Sequence, residues 1–293
     1  MSPERSNPTP VTADHRRQFG SYRYVYPVVA RRARGLSLGV NLNPDKRCNY
    51  SCVYCQVDRK VPRDLAHVDL ELLAKELEEL TRLGASGDIW QHGRFAATPE
   101  PLKRLNDIAF SGDGEPTCFP QFDQAVRIAA DIRRKLKLDA LKLVVITNAS
   151  QLDSPQVQRA LPILDANNGE IWAKLDAGTQ EYFRQMNRPA PPITLEQIVA
   201  NITELAKGRP VVIQTLFSLL RKQEPPAQEV AAYCRNLQSI LSAGGRIKLV
   251  QLHTVARATA ELYTQALTPQ QLGTISQQVR QAIGAAAPVE VYT

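Results

Sequence analysis

The sequence contains no apolar run that approaches the roughly 20 residues a membrane-spanning helix needs. It also opens without the charged and apolar segments that mark a secretory signal peptide. Hydrophobic residues make up 43% and charged residues 22% of the 293 positions, as in an ordinary globular protein. We therefore expect a cytoplasmic protein without a membrane partner, with room for one large α/β domain or two small ones.

Cysteine is scarce, with five residues in the chain, but Cys48, Cys52 and Cys55 lie within eight positions in a C-x3-C-x2-C pattern. Structural zinc normally takes four ligands in paired C-x2-C arrangements, and no second pair exists. Disulfides are disfavoured because the triad is odd-numbered and nothing indicates secretion. The pattern favours an iron–sulfur cluster held by three thiolates, with one iron open to a small molecule. Cys118 and Cys234 stand alone and are predicted to be packing residues.

Positive charge is concentrated near the start of the chain. Residues 1–64 contain 12 Lys and Arg against 5 Asp and Glu, an excess of 7 that equals the excess of the whole chain. Tyr22, Tyr24 and Tyr26 are interleaved with these charges, and such a mixture can follow a nucleic-acid backbone and stack on bases. The alternatives are a solvated basic arm, or a docking surface for an acidic electron-donor protein. The arginines that precede the cysteines are Arg16, Arg17, Arg23, Arg31, Arg32 and Arg34.

Strand and helix patterns alternate along most of the chain after a proline-containing start, residues 1–12, that is predicted to be disordered. Predicted strands cover residues 37–43, 108–110, 143–147, 171–175, 210–217, 246–252 and 289–292. Predicted helices begin at about residues 69, 122, 154, 179, 194, 227 and 268, and those at 194 and 268 are each expected to open with a capping box. Six consecutive β/α units favour a parallel sheet with helices outside, curled into a partial (β/α)6 TIM-type barrel that is open on one side. We expect a basic arm, partly disordered, over 1–34 and the barrel core over 35–293, with a C-terminal helix and strand.

Polar residues at strand ends are the candidates for chemistry, because active groups of such barrels lie on the loops that follow the strands. The cysteines follow the first predicted strand, and Glu115 follows the second. Asn148 ends the third strand, where capping of a turn is an equal alternative. Lys174 and Asp176 share one face of the fourth strand and are cofactor candidates, or else an internal ion pair that fills the barrel.

The stretch Cys48-Asn-Tyr-Ser-Cys52-Val-Tyr-Cys55, with Tyr54 before the last cysteine, resembles the radical S-adenosylmethionine superfamily. The resemblance implies a six-stranded open barrel and a [4Fe–4S] cluster whose open iron takes the amino and carboxylate groups of S-adenosyl-L-methionine. The reduced cluster would then cleave the sulfonium and release a 5′-deoxyadenosyl radical. A flavodoxin- or ferredoxin-type one-electron reductant would be the partner in that reaction.

The resemblance also implies which residues contact the cofactor. Asp113-Gly-Glu-Pro116 resembles the G-G-E-P element that holds the amino group, although Asp113 replaces its first glycine. His253 ends the sixth strand, where a ribose or adenine contact competes with a histidine simply hydrogen-bonded in place. The implied cluster ligands are Cys48, Cys52 and Cys55, and the implied cofactor-binding residues are Tyr54, Gly114, Glu115, Asn148, Lys174, Asp176 and His253.

Further stretches are similar to the wyosine-synthase-related branch of iron–sulfur oxidoreductases, in which the members that make a tricyclic base act on N-methylguanosine in tRNA. They are Gly39 to Cys48, Cys55-Gln-Val57, Phe110 to Thr117, Ala173 to Ala177 and Met186-Asn-Arg-Pro189. Residues 1–47 contain no cysteine for the second cluster of wyosine synthases, and no flavodoxin-like domain is present. Three functions therefore remain: a radical enzyme acting on an unidentified substrate such as a tRNA nucleoside, an activating enzyme that places a radical on a protein, and a metal-stabilised nucleic-acid binder without catalysis.

Overall fold

The computed structural model describes residues 17–30, 32–57, 59, 67–257 and 259–293, so the predicted disordered start lies outside the described residues. The strands are β1 (Val25–Ala30), β2 (Gly35–Val40), β3 (Leu105–Phe110), β4 (Lys142–Thr147), β5 (Gly169–Lys174), β6 (Val211–Leu216), β7 (Ser218–Leu220), β8 (Ile247–His253), β9 (Thr264–Ala266) and β10 (Val289–Tyr292). The helices are α1 (Leu70–Ser86), α2 (Phe122–Lys135), α3 (Pro155–Asp165), α4 (Gln180–Met186), α5 (Leu195–Gly208), α6 (Ala227–Ser242) and α7 (Pro269–Ile283).

Eight strands form one curled sheet in the order β1-β2-β3-β4-β5-β6-β8-β10. Every neighbouring pair is parallel except β1 and β2. The six predicted core strands and the predicted short last strand are all present, which confirms the partial barrel. The strands β7 and β9 form a separate antiparallel pair that the sequence pattern did not predict.

The residues of strand β4 and of the start of helix α7 show how local sequence determines these elements. Leu143, Val144 and Val145 in β4 are all buried, as expected of a parallel strand covered on both faces. Helix α7 begins with the predicted capping box: the Thr268 side chain accepts from the Gln271 N–H and the Gln271 side chain accepts from the Thr268 N–H. No helix in the described part of the chain is long and apolar enough to cross a membrane.

Strand β1 lies within the stretch that was predicted to be a basic arm. It pairs antiparallel with β2, from Val25 opposite Val40 to Ala30 opposite Gly35. The ring of Tyr26 packs so closely on Gly39 that a Cβ atom at position 39 would overlap it. The arm therefore contains an ordered edge strand that forms part of the barrel wall.

A group of charges closes the barrel at the end where the parallel strands begin. Glu170 forms ion pairs of 2.8 Å with both Lys142 and Lys248 and accepts a hydrogen bond of 3.0 Å from Trp172 Nε1. Burial alone would raise the pKa of Glu170, but these hydrogen bonds lower it to about 2. Beside it, burial raises the pKa of Asp107 to about 6. These charged side chains fill the barrel at this end, which is remote from the strand ends where the cysteines lie.

The sheet curls far enough to bring its two edges into contact. Arg34, in the turn between β1 and β2, forms an ion pair of 2.9 Å with Glu290 of β10. The two residues are 256 positions apart in the chain and belong to opposite ends of the strand order. This contact spans the open side of the partial barrel.

Candidate active site

A cavity of about 610 Å³ lies inside the barrel and opens toward the cysteine loop. Its size is within the range of small-molecule sites. Nine of the ten site residues predicted from the sequence line it, and Asp176 is the exception. The nine are Cys48, Cys52, Cys55, Tyr54, Gly114, Glu115, Asn148, Lys174 and His253.

Each cysteine sulfur of the triad accepts at least one hydrogen bond from a nitrogen donor. Such bonds favour the thiolate form and tune the reduction potential of an iron–sulfur cluster. The donors come from the cysteine loop itself, from the end of α4, and from the segment that follows the loop. The three bonds are Tyr50 N–H to Cys48 Sγ at 3.4 Å, Asn187 Nδ2 to Cys52 Sγ at 3.7 Å, and Arg59 Nη2 to Cys55 Sγ at 3.6 Å.

Two of the three cysteines, Cys48 and Cys52, have a raised pKa and therefore resist deprotonation. Burial, together with the charge of Asp176, raises the pKa of Cys52 to about 12, and burial also raises the pKa of Cys48. A bound metal supplies the positive charge that deprotonates such ligands. Among the described residues, no three His, Cys, Asp or Glu side chains are arranged around a single ion. Three cysteine sulfurs that line one cavity are a donor set that would suit an iron–sulfur cluster.

Glu115 is held in place by four hydrogen bonds on the loop after β3. Its Oε1 accepts from Thr117 N–H at 3.2 Å, from Thr117 Oγ1 at 2.6 Å and from Thr147 Oγ1 at 2.6 Å. Its Oε2 accepts from the Asn148 N–H at 2.7 Å. Burial raises the pKa of Glu115, and these hydrogen bonds act in the opposite direction. The carboxylate has a fixed orientation, with more capacity to accept at Oε2 than at Oε1.

Asp113, the departure from the family element, has its own partners. It forms an ion pair with Arg17 and accepts a hydrogen bond of 2.9 Å from Asn41 Nδ2. At the next position, a Cβ atom on Gly114 would overlap the Arg47 carbonyl oxygen, so only glycine allows the cysteine loop to approach this closely. The backbone at Gly114 therefore still lies close to the cysteine loop in the altered motif, and Asp113 holds Arg17 at the cavity by an ion pair.

Asp176 is a buried hub behind the cavity wall. Its carboxylate accepts from Lys174 Nζ at 3.2 Å, from the Leu216 N–H at 2.8 Å and from Asn187 Nδ2 at 3.1 Å, and also from the Tyr54 hydroxyl. The residue is 3% exposed and does not line the cavity. Asp176 therefore forms an internal ion pair with Lys174, which was one of the two alternatives predicted from the sequence. Of the two residues, only Lys174 faces the cavity.

Asn148 caps its own turn, which was one of its two predicted roles. Its Oδ1 accepts from the Ser150 N–H at 3.0 Å, which caps its own turn, and its Nδ2 donates to Asn49 Oδ1 at 2.8 Å. It also lines the cavity beside Glu115. Outside the site, Cys234 is buried in α6, while Cys118 is partly buried and does not line the cavity.

Several lining residues were not among the predicted site residues. Asn187 lies in a stretch quoted only for its family resemblance, and its contact with Cys52 joins residues 135 positions apart. The described lining carries five cationic side chains against one acidic side chain, Glu115, so the cavity suits anionic groups. Only the concentration of arginine near the chain start pointed to this charge. The five are Arg17, Arg32, Arg59, Lys174 and Arg257.

The comparisons with known proteins agree with this geometry. A family model described as the Radical SAM superfamily matches residues 42–220. A UPF0026 protein of Methanocaldococcus jannaschii is 24% identical over 217 residues, which are 72% of this chain and 59% of that protein. A UPF0026 protein of Synechocystis is 29% identical over 187 residues, 61% of this chain and 57% of that protein. The chain thus spans less than two thirds of the length of these relatives.

Solved structures share the fold at low sequence identity. A radical SAM methyltransferase from Sphaerobacter thermophilus superposes with a TM-score of 0.60 at 13% identity, over 91% of this chain and 69% of that one. TYW1 with a lysine-pyruvate adduct bound superposes with a TM-score of 0.54 at 14% identity, over 85% of this chain and 74% of that one. At these identities the likeness shows a common fold.

Proposed function

The chain belongs to the radical S-adenosylmethionine superfamily, and on that premise we propose that Cys48, Cys52 and Cys55 hold a [4Fe–4S] cluster that reductively cleaves S-adenosyl-L-methionine. The observation that carries the proposal is the convergence of three hydrogen-bonded cysteine sulfurs and Glu115 on one cavity. When bound, the cluster supplies the electron that releases a 5′-deoxyadenosyl radical from the cofactor. An oxygen-sensitive cluster fits the reducing cytoplasm, which we propose as the location.

The residues of the chain bind and orient the cofactor in this proposal. Glu115 Oε2, which accepts one hydrogen bond within the protein, is placed to accept another from the methionyl ammonium. Lys174 lies 5.1 Å from the centre of the Tyr54 ring and presents a cation to the methionyl carboxylate.

The test is anaerobic reconstitution with iron and sulfide, followed by reduction in the presence of S-adenosyl-L-methionine. We expect four irons per chain and formation of 5′-deoxyadenosine, with both lost in Cys52→Ala. Cys234→Ala is the matched control, because its sulfur is buried in α6 away from the cavity. A wild-type protein that takes up a single zinc ion and no sulfide would contradict the proposal.

We further propose that the substrate is an RNA nucleoside, as in a tRNA. Two observations support it: the excess positive charge over residues 1–64 and the cationic lining of the cavity. Binding of unmodified tRNA should weaken steeply with salt, and tRNA should increase the formation of 5′-deoxyadenosine. A radical found on a copurifying protein, with no effect of RNA, would favour an activating enzyme instead. A flavodoxin- or ferredoxin-type protein is the proposed electron donor in either case.

A further inference from the structure

The side-chain amide of Asn187 is fully engaged at its nitrogen but not at its oxygen. Nδ2 lies 3.1 Å from Asp176 Oδ2, 3.1 Å from the Tyr54 hydroxyl oxygen and 3.7 Å from Cys52 Sγ. Oδ1 is buried and has no hydrogen-bond partner in the described part of the chain. The whole residue is 2% exposed and lines the cavity.

The orientation of this amide follows from its neighbours. Reversing it would place Oδ1 against a carboxylate oxygen and a cysteine sulfur, which are acceptors, and would leave Nδ2 without them. The backbone is fixed as well: the Asn187 N–H donates to the Phe183 oxygen at 2.9 Å, and the Ser51 N–H donates to the Asn187 oxygen at 3.2 Å. The free acceptor is therefore held rigidly beside the cysteine loop.

A buried acceptor without a partner is costly to a folded protein, and a ligand that brings a donor removes that cost. We propose that Asn187 is a cofactor-binding residue whose Oδ1 accepts a hydrogen bond from an ammonium or hydroxyl group of S-adenosyl-L-methionine bound in the cavity. This inference rests on the proposed function. The inference extends the proposed function because one side chain would then contact both the cofactor and the sulfur of Cys52.

The test measures cofactor affinity without turnover. The reconstituted holoprotein, with no reductant present, is equilibrated with labelled S-adenosyl-L-methionine, and affinity is determined for the molecules that carry four irons. Asn187→Ala should weaken binding about tenfold, the equivalent of 1.4 kcal/mol. Asn167→Ala is the control, because Asn167 is also buried but donates to the Ile163 oxygen and lies outside the cavity lining. Its affinity should stay within about twofold of wild type.

A second ligand identifies the donor. If the ribose hydroxyls bind Asn187, Asn187→Ala should weaken binding of 5′-deoxyadenosine in parallel. If the methionyl ammonium does, only S-adenosyl-L-methionine should be affected. Either result supports the inference.

Unchanged affinity of Asn187→Ala, beside tight binding by the wild type, overturns the inference alone. A wild-type protein that assembles the cluster but binds no cofactor overturns the proposed function and this inference with it. Should Asn187→Ala fail to hold the cluster, Asn187→Thr keeps a hydroxyl near Asp176 but is too short to present an acceptor in the same place. It should then show the same loss of affinity, and wild-type affinity in that variant also overturns the inference.

Discussion

Replacing Glu170 with glutamine tests how strongly the charge cluster at the closed end of the barrel stabilises the fold. Glu170 pairs with Lys142 and Lys248, and its pKa falls from 4.5 to about 2 because these hydrogen bonds outweigh the effect of burial. A carboxyl group with a lower pKa in the folded than in the unfolded chain stabilises the fold above its unfolded pKa. The contribution is thus complete at pH 7 and is lost as the pH falls from about 4.5 to about 2.

The lowered pKa of Glu170 sets the size of its contribution to the free energy of unfolding. A fall of about 2.5 units corresponds to about 3.4 kcal/mol at 1.36 kcal/mol per unit. The Lys142 and Lys248 side chains are 43% and 52% exposed, so solvent screening reduces the expected contribution to about 1–2 kcal/mol. The raised pKa of Asp107 has the opposite sign and destabilises the fold as the pH rises toward 6. Because Asp107 is present in both proteins, its effect largely cancels in their difference.

Urea unfolding followed by circular dichroism provides the assay. At pH 7 the free energy of unfolding of Glu170→Gln should be about 1–2 kcal/mol below that of the wild type, and the gap should shrink as the pH falls below about 4.5 and approach zero only near pH 2. Glu100→Gln is the control, since Glu100 is 81% exposed in its pair with Lys103 and should change stability by less than about 0.5 kcal/mol. A gap that does not vary with pH would refute the reasoning.

Three further predictions concern the walls of the site. Arg59→Gln removes a positive charge that lies beside the cysteine sulfurs, so the midpoint potential of the reconstituted cluster should become more negative. A tenfold weaker one-electron reduction corresponds to a shift of about 59 mV, which a redox titration followed by electron paramagnetic resonance would detect. Arg59→Lys should shift it less, and equal potentials would contradict the role. Gly39→Ala pushes a methyl group into the Tyr26 ring and should cost about 2 kcal/mol in urea unfolding, whereas wild-type stability would disprove the close packing. Asp113→Gly and Arg17→Gln should each accelerate amide hydrogen exchange near residue 17, and unchanged exchange would show that the ion pair anchors nothing.

The regular part of the fold was predictable because local pattern and tertiary environment agree there. The run Leu143–Thr147 predicts a buried parallel strand, and residues 122–135 were predicted as the helix that the structure contains. Strand β1 was missed because the arginines on both sides of it suggested a basic arm. Its residues become a strand only by pairing with β2 along the sheet edge.

The site residues that could be predicted are those marked by a strand end or by the spacing of the cysteines. The alternation along β5 places Lys174 and Asp176 on one face, but it does not reveal that the Asp176 carboxylate is saturated by donors from distant segments. Asn187 and Arg59 carry no signal of their own, since their significance lies in the sulfur atoms they contact after folding. Such side-chain partners depend on three-dimensional proximity, which the spacing of residues along the chain does not encode.

The ion pair between Arg34 and Glu290 has a consequence for the order of biogenesis. Tyr26 from the first strand and Tyr292 from the last both line the compartment that faces the cysteines. A nascent chain that has not yet released β10 from the ribosome therefore lacks one wall of that compartment. The cavity is therefore complete only after the last strand has joined the sheet, when Arg34 and Glu290 can pair across its open side.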